Sequence, residues 1–284
     1  MLRYSSTPTS QVLLMAIVKA EGIVIRSMKM GETSKLVTLF TRELGILKVV
    51  AKGSRSSKSR FGAALEVLTV ARLVYYDKEN RDLQFLSQAD IAEYFPNLSV
   101  DLEKWGLANA CGELIFRSQA DVEVKPALYP IFLETLRAMN EPEADSRACF
   151  WGFQMKLLGI LGVAPNLRQC QKCSTKQITI EHEQREFQYS FDLAQGGVLC
   201  GRCASHAQTM SYSGETQRLL INFQSLPANK LSRYKISALA RREIEQFFRA
   251  YCEHHAGEIG RLAALKFVQE IKGAEHARER NNQK

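Results

Sequence analysis

The hydrophobic pattern of this chain changes its period at Pro96, and that change limits the fold more than any other feature. From about Val18 to Phe95, apolar residues come in short runs rich in β-branched and aromatic side chains, which is typical of strands. After Pro96 they recur at spacings of three and four, which is typical of amphipathic helices. The sequence therefore predicts an α+β protein with a β-rich N-terminal domain and a helical C-terminal domain.

Five segments before Pro96 are predicted strands, separated by glycines or polar residues. They are Glu21–Arg26, Lys35–Thr41, Ile46–Ala51, Val67–Tyr76 and Leu83–Ala89. Five short strands with no long helix between them favour a small barrel, and we expect the five-stranded OB-fold barrel. Another small barrel or a sandwich is the alternative.

Six segments after Pro96 are predicted helices. They are Leu98–Ala120, Ala127–Met139, Arg147–Leu161, Glu215–Gln224, Tyr234–His254 and Glu258–Lys272. We expect Asp145 or Ser146 to cap the third helix, and Gly162, followed by Pro165, to end it.

These patterns divide the chain into four predicted parts. They are a disordered extension at 1–14, an OB-fold nucleic-acid-binding domain at 15–95, a helical domain at 96–275 and a frayed tail at 276–284. A polar insert at about 167–210 interrupts the helical domain and contains four of the seven cysteines.

Two CxxC pairs separated by 26 residues lie in this insert: Cys170 with Cys173, and Cys200 with Cys203. A CxxC turn lets two thiolates bind one ion, and two such turns complete a tetrahedral site of four thiolates. Because such a site leaves no position for water or substrate, we predict one structural zinc ion. Between the pairs, Gln177–Ile180 and Phe187–Phe191 are predicted to form the hairpin of a zinc ribbon.

The alternatives to zinc are a redox dithiol and an iron–sulfur cluster, and either His182 or His206 could substitute for a cysteine ligand. The presence of two pairs and the lack of a βαβ context disfavour the dithiol. Three further cysteines occur singly in helix-like segments and are expected in the core: Cys111, Cys149 and Cys252. An odd total of seven, without a signal peptide, argues against a disulfide framework.

The formal net charge of +8 fits a polyanionic partner, although many proteins without one carry a similar charge. No apolar run approaches the roughly 20 residues of a bilayer span, so we expect a cytoplasmic protein without a membrane partner.

A basic loop follows the third predicted strand, and no acidic residue occurs between Glu43 and Glu66. Side chains of this kind bind a phosphate backbone by releasing counterions, and OB-fold barrels bind oligonucleotides on adjoining loops. The predicted DNA-binding residues are Lys35, Lys48, Lys52, Arg55, Lys58, Arg60 and Phe61, the last as a stacking face. A solvated surface loop is the alternative.

Two further groups of residues have open interpretations. The strand aromatics Phe40, Tyr75, Tyr76 and Phe85 could stack on bases or lie in the core. A second basic cluster could extend a DNA path, meet an acidic partner or face solvent. It consists of Lys230, Arg233, Lys235, Arg241 and Arg242.

Several motifs occur in a fixed order along the chain. They are GIVIRSMKMGETSKLVTLFTRELG at Gly22–Gly45, AKGSRSSKSRFGAALE at Ala51–Glu66, LGILGVAP at Leu158–Pro165, the first CxxC, and GGVLCxxC at Gly196–Cys203. In this order they resemble the bacterial DNA-repair family RecO, from about Met15 to Lys272. The departures are the N-terminal extension and an SRSS loop that is less basic than in many members.

The resemblance implies an OB-fold domain, a helical domain and an inserted zinc site. It implies binding of single- and double-stranded DNA, annealing of complementary strands and, together with RecR, loading of RecA onto strands coated by single-strand-binding protein. It further implies that the helical domain contacts the acidic C-terminal tail of single-strand-binding protein. A nucleoid-associated location is expected for such a protein.

No catalytic motif accompanies these features. The sequence contains no GxxxxGK[ST], GxSxG or HExxH pattern, and the adjacent His254 and His255 diverge by about 100° on a helix. We therefore expect a non-enzymatic protein. The alternatives are a zinc-ribbon RNA-binding module, which would prefer RNA, and a metal-dependent hydrolase, against which a closed cysteine site argues.

Overall fold

Five strands form a closed barrel in the computed structural model, which describes residues 16–78, 81–118, 127–176, 188–255 and 257. The strands are β1 (Ala16–Met30), β2 (Ser34–Thr41), β3 (Gly45–Ala51), β4 (Val70–Asp77) and β5 (Gln84–Glu93). They are ordered β1-β2-β3-β5-β4, and the β3–β5 pair is parallel. This is the five-stranded barrel of the OB fold, so the predicted architecture is confirmed.

Strand β1 closes the barrel because its 15 residues are long enough to pair with two partners. Gly22 lies opposite both Thr41 of β2 and Ala71 of β4. The β1–β2 register shifts between Val24 and Arg26, and such a bulge bends a strand and increases its twist.

The barrel interior is filled by inward-facing side chains and by a short 3₁₀ helix, Gly62–Leu65, between β3 and β4. The buried cluster includes Val24, Val37, Leu39, Val49, Leu73, Tyr75, Phe61, Ala64 and Leu65.

The predicted strand Val67–Tyr76 is wrong at its beginning. Leu68 has a φ of 70°, and its N–H bonds to Val24 O in a turn before β4 begins.

A second unit comprises Arg42–Gly45 and the described residues from Tyr94 onward. Its helices are α1 (Pro96–Val100), α2 (Leu102–Ser118), α3 (Leu128–Asn140), α4 (Ser146–Ile160), α5 (Gly201–Ala204), α6 (Gly214–Ser225), α7 (Ala228–Leu231) and α8 (Ala238–His255). Helix α4 packs against α2, α3, α6 and α7. None of the helices in the described residues combines the length and the apolar character that a bilayer span requires.

Helix α4 begins and ends as predicted. The Asp145 carboxylate accepts a 3.0 Å hydrogen bond from Ala148 N, and Gly162 takes a φ of 80° just beyond the last turn. Gly152 faces the buried Leu231 so closely that a Cβ would overlap the leucine methyl. The single cysteines Cys111, Cys149 and Cys252 are buried, as expected.

Two predicted helices differ from the structure. The segment Leu98–Ala120 contains two helices, because the Asp101 carboxylate accepts from Glu103 N and Lys104 N and so caps α2 separately. The segment Tyr234–His254 is helical only from Ala238, where the Ser237 hydroxyl caps α8 by accepting from Ala240 N. The predicted helix Glu258–Lys272, like residues 1–14 and 276–284, lies outside the described residues.

The helical unit also contains a three-stranded antiparallel sheet of order β7-β6-β8. Its strands are β6 (Gln188–Asp192), β7 (Gly197–Leu199) and β8 (Met210–Ser213). Strand β8 begins at the end of the predicted insert and leads directly into α6. The predicted hairpin strand Gln177–Ile180 lies outside the described residues. Among the described residues, β6 pairs with β7 and β8.

Candidate metal centre and nucleic-acid interface

The structure brings the four predicted cysteine ligands together. The Sγ atoms of Cys170, Cys173, Cys200 and Cys203 all lie within 4.8 Å of one another, and those of Cys173 and Cys200 are 3.6 Å apart. Thiolates held about 2.3 Å from a central zinc ion would be separated by about 3.8 Å. The group therefore has the size and the donor chemistry to hold one metal ion.

Backbone hydrogen bonds shape the first CxxC turn. Cys170 N donates to Thr175 O at 2.8 Å, and Ser174 N donates back to Cys170 O at 2.9 Å. Ser174 takes a left-handed φ of 59°, which reverses the chain directly after Cys173. The turn thus presents Cys170 and Cys173 to the same point.

The second turn is built by a strand that runs into a short helix. Cys200 follows β7 as the N-terminal cap of α5, and Cys203 N donates to Cys200 O at 3.0 Å. The two turns are joined because Gln171 N donates to Val198 O at 2.8 Å. The sheet therefore fixes the distance between the two cysteine pairs.

The hydrogen bonds between the two turns also shift the pKa values of two of the cysteines. Burial acts to raise the pKa of Cys170, but backbone hydrogen bonds at Cys173, Cys200 and Lys172 outweigh it and lower that pKa to about 6. A hydrogen bond with the Cys200 side chain is the main cause that raises the pKa of Cys203 to about 12. The hydrogen bonds among the cysteines therefore shift the pKa of Cys170 and that of Cys203 in opposite directions, whereas a bound divalent ion would favour the thiolate form of each ligand.

The histidines proposed as substitute ligands do not join this group in the described residues. His206 is exposed and is not part of the four-residue cluster, and His182 lies outside the described residues. Within the described residues, the four cysteines by themselves could supply the four ligands of a tetrahedral metal site.

The sheet beside the cysteines is anchored on α8 by aromatic packing. The ring of Phe191 on β6 meets Phe247 edge to face at 5.1 Å and Tyr251 at 5.8 Å. Tyr251 Oη donates to Val163 O at 3.0 Å, and His255 Nε2 lies 2.7 Å from Leu193 O. The four cysteines thus lie beside a sheet whose central strand, β6, is packed against α8.

The predicted DNA-binding cations of the barrel differ in whether they already contact other groups of the protein. Lys48 and Lys58 are exposed and have no hydrogen bond or ion pair within the part of the chain that the structure describes. The Lys52 ammonium lies 4.7 Å from the centre of the Phe85 ring, a cation–π contact that leaves its charge accessible.

Two other predicted cations are bound to polar groups of the protein. Lys35 Nζ forms a 2.8 Å ion pair with Glu66 Oε1. Arg55 Nη1 donates to Gly31 O at 2.9 Å and to Glu32 O at 2.7 Å. The partners of both side chains lie more than 20 residues away in the chain, so local sequence patterns could not predict these contacts.

The prediction of a stacking face at Phe61 is wrong. Its side chain is only 3% exposed and belongs to the barrel core, together with Ala64 and Leu65 of the 3₁₀ helix that follows it. The Arg60 guanidinium covers the Phe61 ring at 5.1 Å. Phe40 and Tyr75 are also buried, whereas Tyr76 and Phe85 are partly exposed.

In the second basic cluster, one of the five cations is paired with a carboxylate of the protein. Arg241 binds Asp145 at 2.5 Å, whereas the other four residues are exposed.

One barrel lysine was missed by the sequence analysis. Lys29 is exposed near the end of β1, directly across from Lys35. The strand–turn–strand register around Gly31 could have identified it.

Comparison with known proteins places both units in one family. The family model described as "Recombination protein O N terminal" matches residues 15–95, and "Recombination protein O C terminal" matches residues 99–263. The chain belongs to the RecO family. Residues 15–95 include the whole barrel, and residues 99–263 include all four clustered cysteines.

RecO proteins of distant bacteria are similar to this chain along most of its length. The DNA repair protein RecO of Anaeromyxobacter dehalogenans (strain 2CP-C) is 30% identical over 255 residues, which cover 89% of this chain and 96% of that protein. That of Thermoanaerobacter sp. (strain X514) is 29% identical over 242 residues, or 85% and 93%. That of Bacillus subtilis (strain 168) is 27% identical over 261 residues, or 92% and 97%. The resemblance inferred from the motifs is therefore confirmed.

Proposed function

We propose that this RecO-family chain is a non-enzymatic recombination mediator in DNA repair. In this role it binds single- and double-stranded DNA and anneals complementary strands. Together with RecR, it helps to load RecA onto strands coated by single-strand-binding protein, and it acts at the nucleoid.

One observation carries the proposal: a closed OB-fold barrel presents exposed lysines that no carboxylate of the described residues neutralises. Lys48 lies on β3, and Lys58 lies on the loop that follows it. Cations without protein partners can neutralise phosphates and release their counterions, which gives a binding energy that falls as salt rises. Membership of a family of DNA repair proteins makes DNA the expected polyanion.

Annealing needs no covalent chemistry from the protein. A surface that neutralises two strands lowers their mutual repulsion and raises their encounter rate. We propose that the four cysteines bind one Zn²⁺ and that this ion is structural, because all four of its positions would be taken by protein sulfur. Cys170 and Cys173 would hold it from one turn, and Cys200 and Cys203 from the other.

Annealing of complementary oligonucleotides that are pre-coated with single-strand-binding protein tests the proposal. We expect acceleration that weakens along a salt series, with both strands intact at the end. A folded, metal-loaded protein that fails to accelerate annealing would contradict the mediator role. RNA strands of the same sequence, run in parallel, test the alternative of an RNA-binding module, which predicts tighter binding to RNA.

We also propose that the helical unit binds the acidic C-terminal tail of single-strand-binding protein. Fluorescence anisotropy with a labelled tail peptide and the whole chain tests this contact. Saturable binding supports it, and a flat titration at concentrations that saturate DNA contradicts it.

A further inference from the structure

Two surface elements of the barrel are joined by a single side chain. The first is the β1–β2 turn, Met30–Ser34, and the second is the basic loop, Lys52–Arg60. Arg55 Nη1 donates to Gly31 O at 2.9 Å and to Glu32 O at 2.7 Å. Its backbone N–H donates to Thr33 O at 2.9 Å. Three hydrogen bonds therefore connect segments that are more than 20 residues apart in the chain.

Each element is also ordered internally. Gly31 and Gly53 take left-handed φ values of 62° and 70° in their turns. Glycine adopts this backbone conformation easily because it has no Cβ. Ser54 Oγ donates to Ala51 O at 2.7 Å, and Ser56 Oγ donates to Gly53 O at 3.0 Å. The basic loop is therefore held in one shape at its start, and Arg55 fixes that shape against the β1–β2 turn.

The strand that leads into the turn contributes a cation of its own. Lys29 on β1 lies directly across from Lys35 on β2. Like charges in opposite register destabilise a strand pair unless an anion is near. Glu66 binds Lys35 at 2.8 Å, but Lys29 has no hydrogen bond or ion pair in the described residues. An anion bound beside Lys29 would reduce its repulsion with Lys35.

We propose that the β1–β2 turn and the basic loop form one composite surface for the phosphate backbone of single-stranded nucleic acid. Lys29 provides a phosphate contact, and Arg55 is a positioning residue that holds the loop on the turn. This inference rests on the proposed function, since it names the residues of the same DNA site. It also changes the predicted role of Arg55, whose Nη1 is committed to two carbonyl oxygens.

The contribution of Lys29 is tested by the salt dependence of oligo(dT) binding, measured by fluorescence anisotropy with the whole chain. On single strands, each phosphate contact adds about 0.7 to the slope of log K against log salt. We expect Lys29→Ala to lower the slope by about that amount, and we expect the same of Lys58→Ala. The matched control is Lys19→Ala, an exposed lysine at the other end of β1, which should leave the slope unchanged.

The role of Arg55 is tested by Arg55→Lys, which keeps the charge but loses the guanidinium that reaches both carbonyls. We expect affinity to fall about fivefold, which is the effect of roughly 1 kcal/mol from lost hydrogen bonds, with an unchanged salt slope. The matched control, Lys58→Arg, should bind like the wild type. In the free protein, Arg55→Lys should also speed cleavage by trypsin after Lys58, while both variants keep the circular dichroism spectrum of the folded protein.

The possible results distinguish a failure of this inference from a failure of the proposed function on which it rests. A wild-type protein that binds no oligonucleotide overturns both. If the wild type binds and Lys58→Ala lowers the slope, but Lys29→Ala does not, the composite surface is wrong and the proposed function stands. The positioning role would be overturned if Arg55→Lys kept both the DNA affinity and the trypsin resistance of the wild type. It would also be overturned if Arg55→Ala lowered the slope of log K against log salt by about 0.7 without changing proteolysis, because Arg55 would then contact a phosphate directly.

Discussion

Replacing Cys200 by serine should abolish metal binding and unfold the two cysteine turns while leaving the rest of the helical unit folded. Cys200 is 5% exposed, and its Sγ lies 3.6 Å from that of Cys173. A serine hydroxyl is a poor zinc ligand beside thiolates, and three thiolates leave the tetrahedral site open. The variant should therefore contain no stoichiometric metal, whereas the wild type should contain one ion per chain.

The size of the effect follows from the small apolar core that packs beside the two turns. Their apolar cluster contains Leu199 as its one large side chain among the described residues, worth roughly 1.5–3 kcal/mol when buried. Ordering the roughly eleven residues of the two turns costs about 10–20 kcal/mol of backbone entropy. A structural zinc ion contributes about 10–16 kcal/mol, which offsets this cost, so the turns cannot stay ordered without the ion.

Metal analysis and hydrogen exchange measure the two parts of this prediction. Backbone amides at 170–175 and 200–204 should lose protection, while those of α8 should keep it because Phe191 remains packed on Phe247 and Tyr251. Cys252→Ser is the matched control, since Cys252 is buried outside the cluster and should leave the metal content unchanged. The reasoning is refuted if Cys200→Ser retains one ion per chain and the exchange pattern of the wild type.

Three further substitutions test the packing and the capping of the fold by thermal melts. Gly152→Ala should cost about 1–3 kcal/mol by overpacking α4, whereas Gly159→Ala on the same helix meets open space and should be neutral or slightly stabilising. Glu243→Gln should cost about 2–4 kcal/mol, because the carboxylate accepts bonds from one backbone N–H and two hydroxyls, while the exposed Glu253→Gln should have little effect. Phe61→Ala should cost about 3–5 kcal/mol as a core residue; a variant that loses DNA affinity without losing stability would restore a stacking role.

Local patterns were sufficient for much of the fold and for the candidate metal ligands. The period of apolar residues predicted the β-rich and helical parts, because that period is imposed within each strand or helix. The spacing of Cys170–Cys173 and Cys200–Cys203 predicted a shared site, because a CxxC turn directs both sulfurs to one point whatever surrounds it. Capping by Asp145 was predictable for the same reason, since the bond spans only three residues.

Contacts between distant segments were decided only by the tertiary structure. Lys35 and Arg55 were both predicted to bind DNA, yet Lys35 is paired with Glu66 and Arg55 is bonded to the β1–β2 turn. Phe61 was predicted to face DNA, yet it fills the barrel. In each case the partner lies elsewhere along the chain and is brought close by barrel closure, so no local pattern records it. The sequence therefore determined which residue types could bind metal and phosphate, and the topology of the barrel determined which charges stay free to do so.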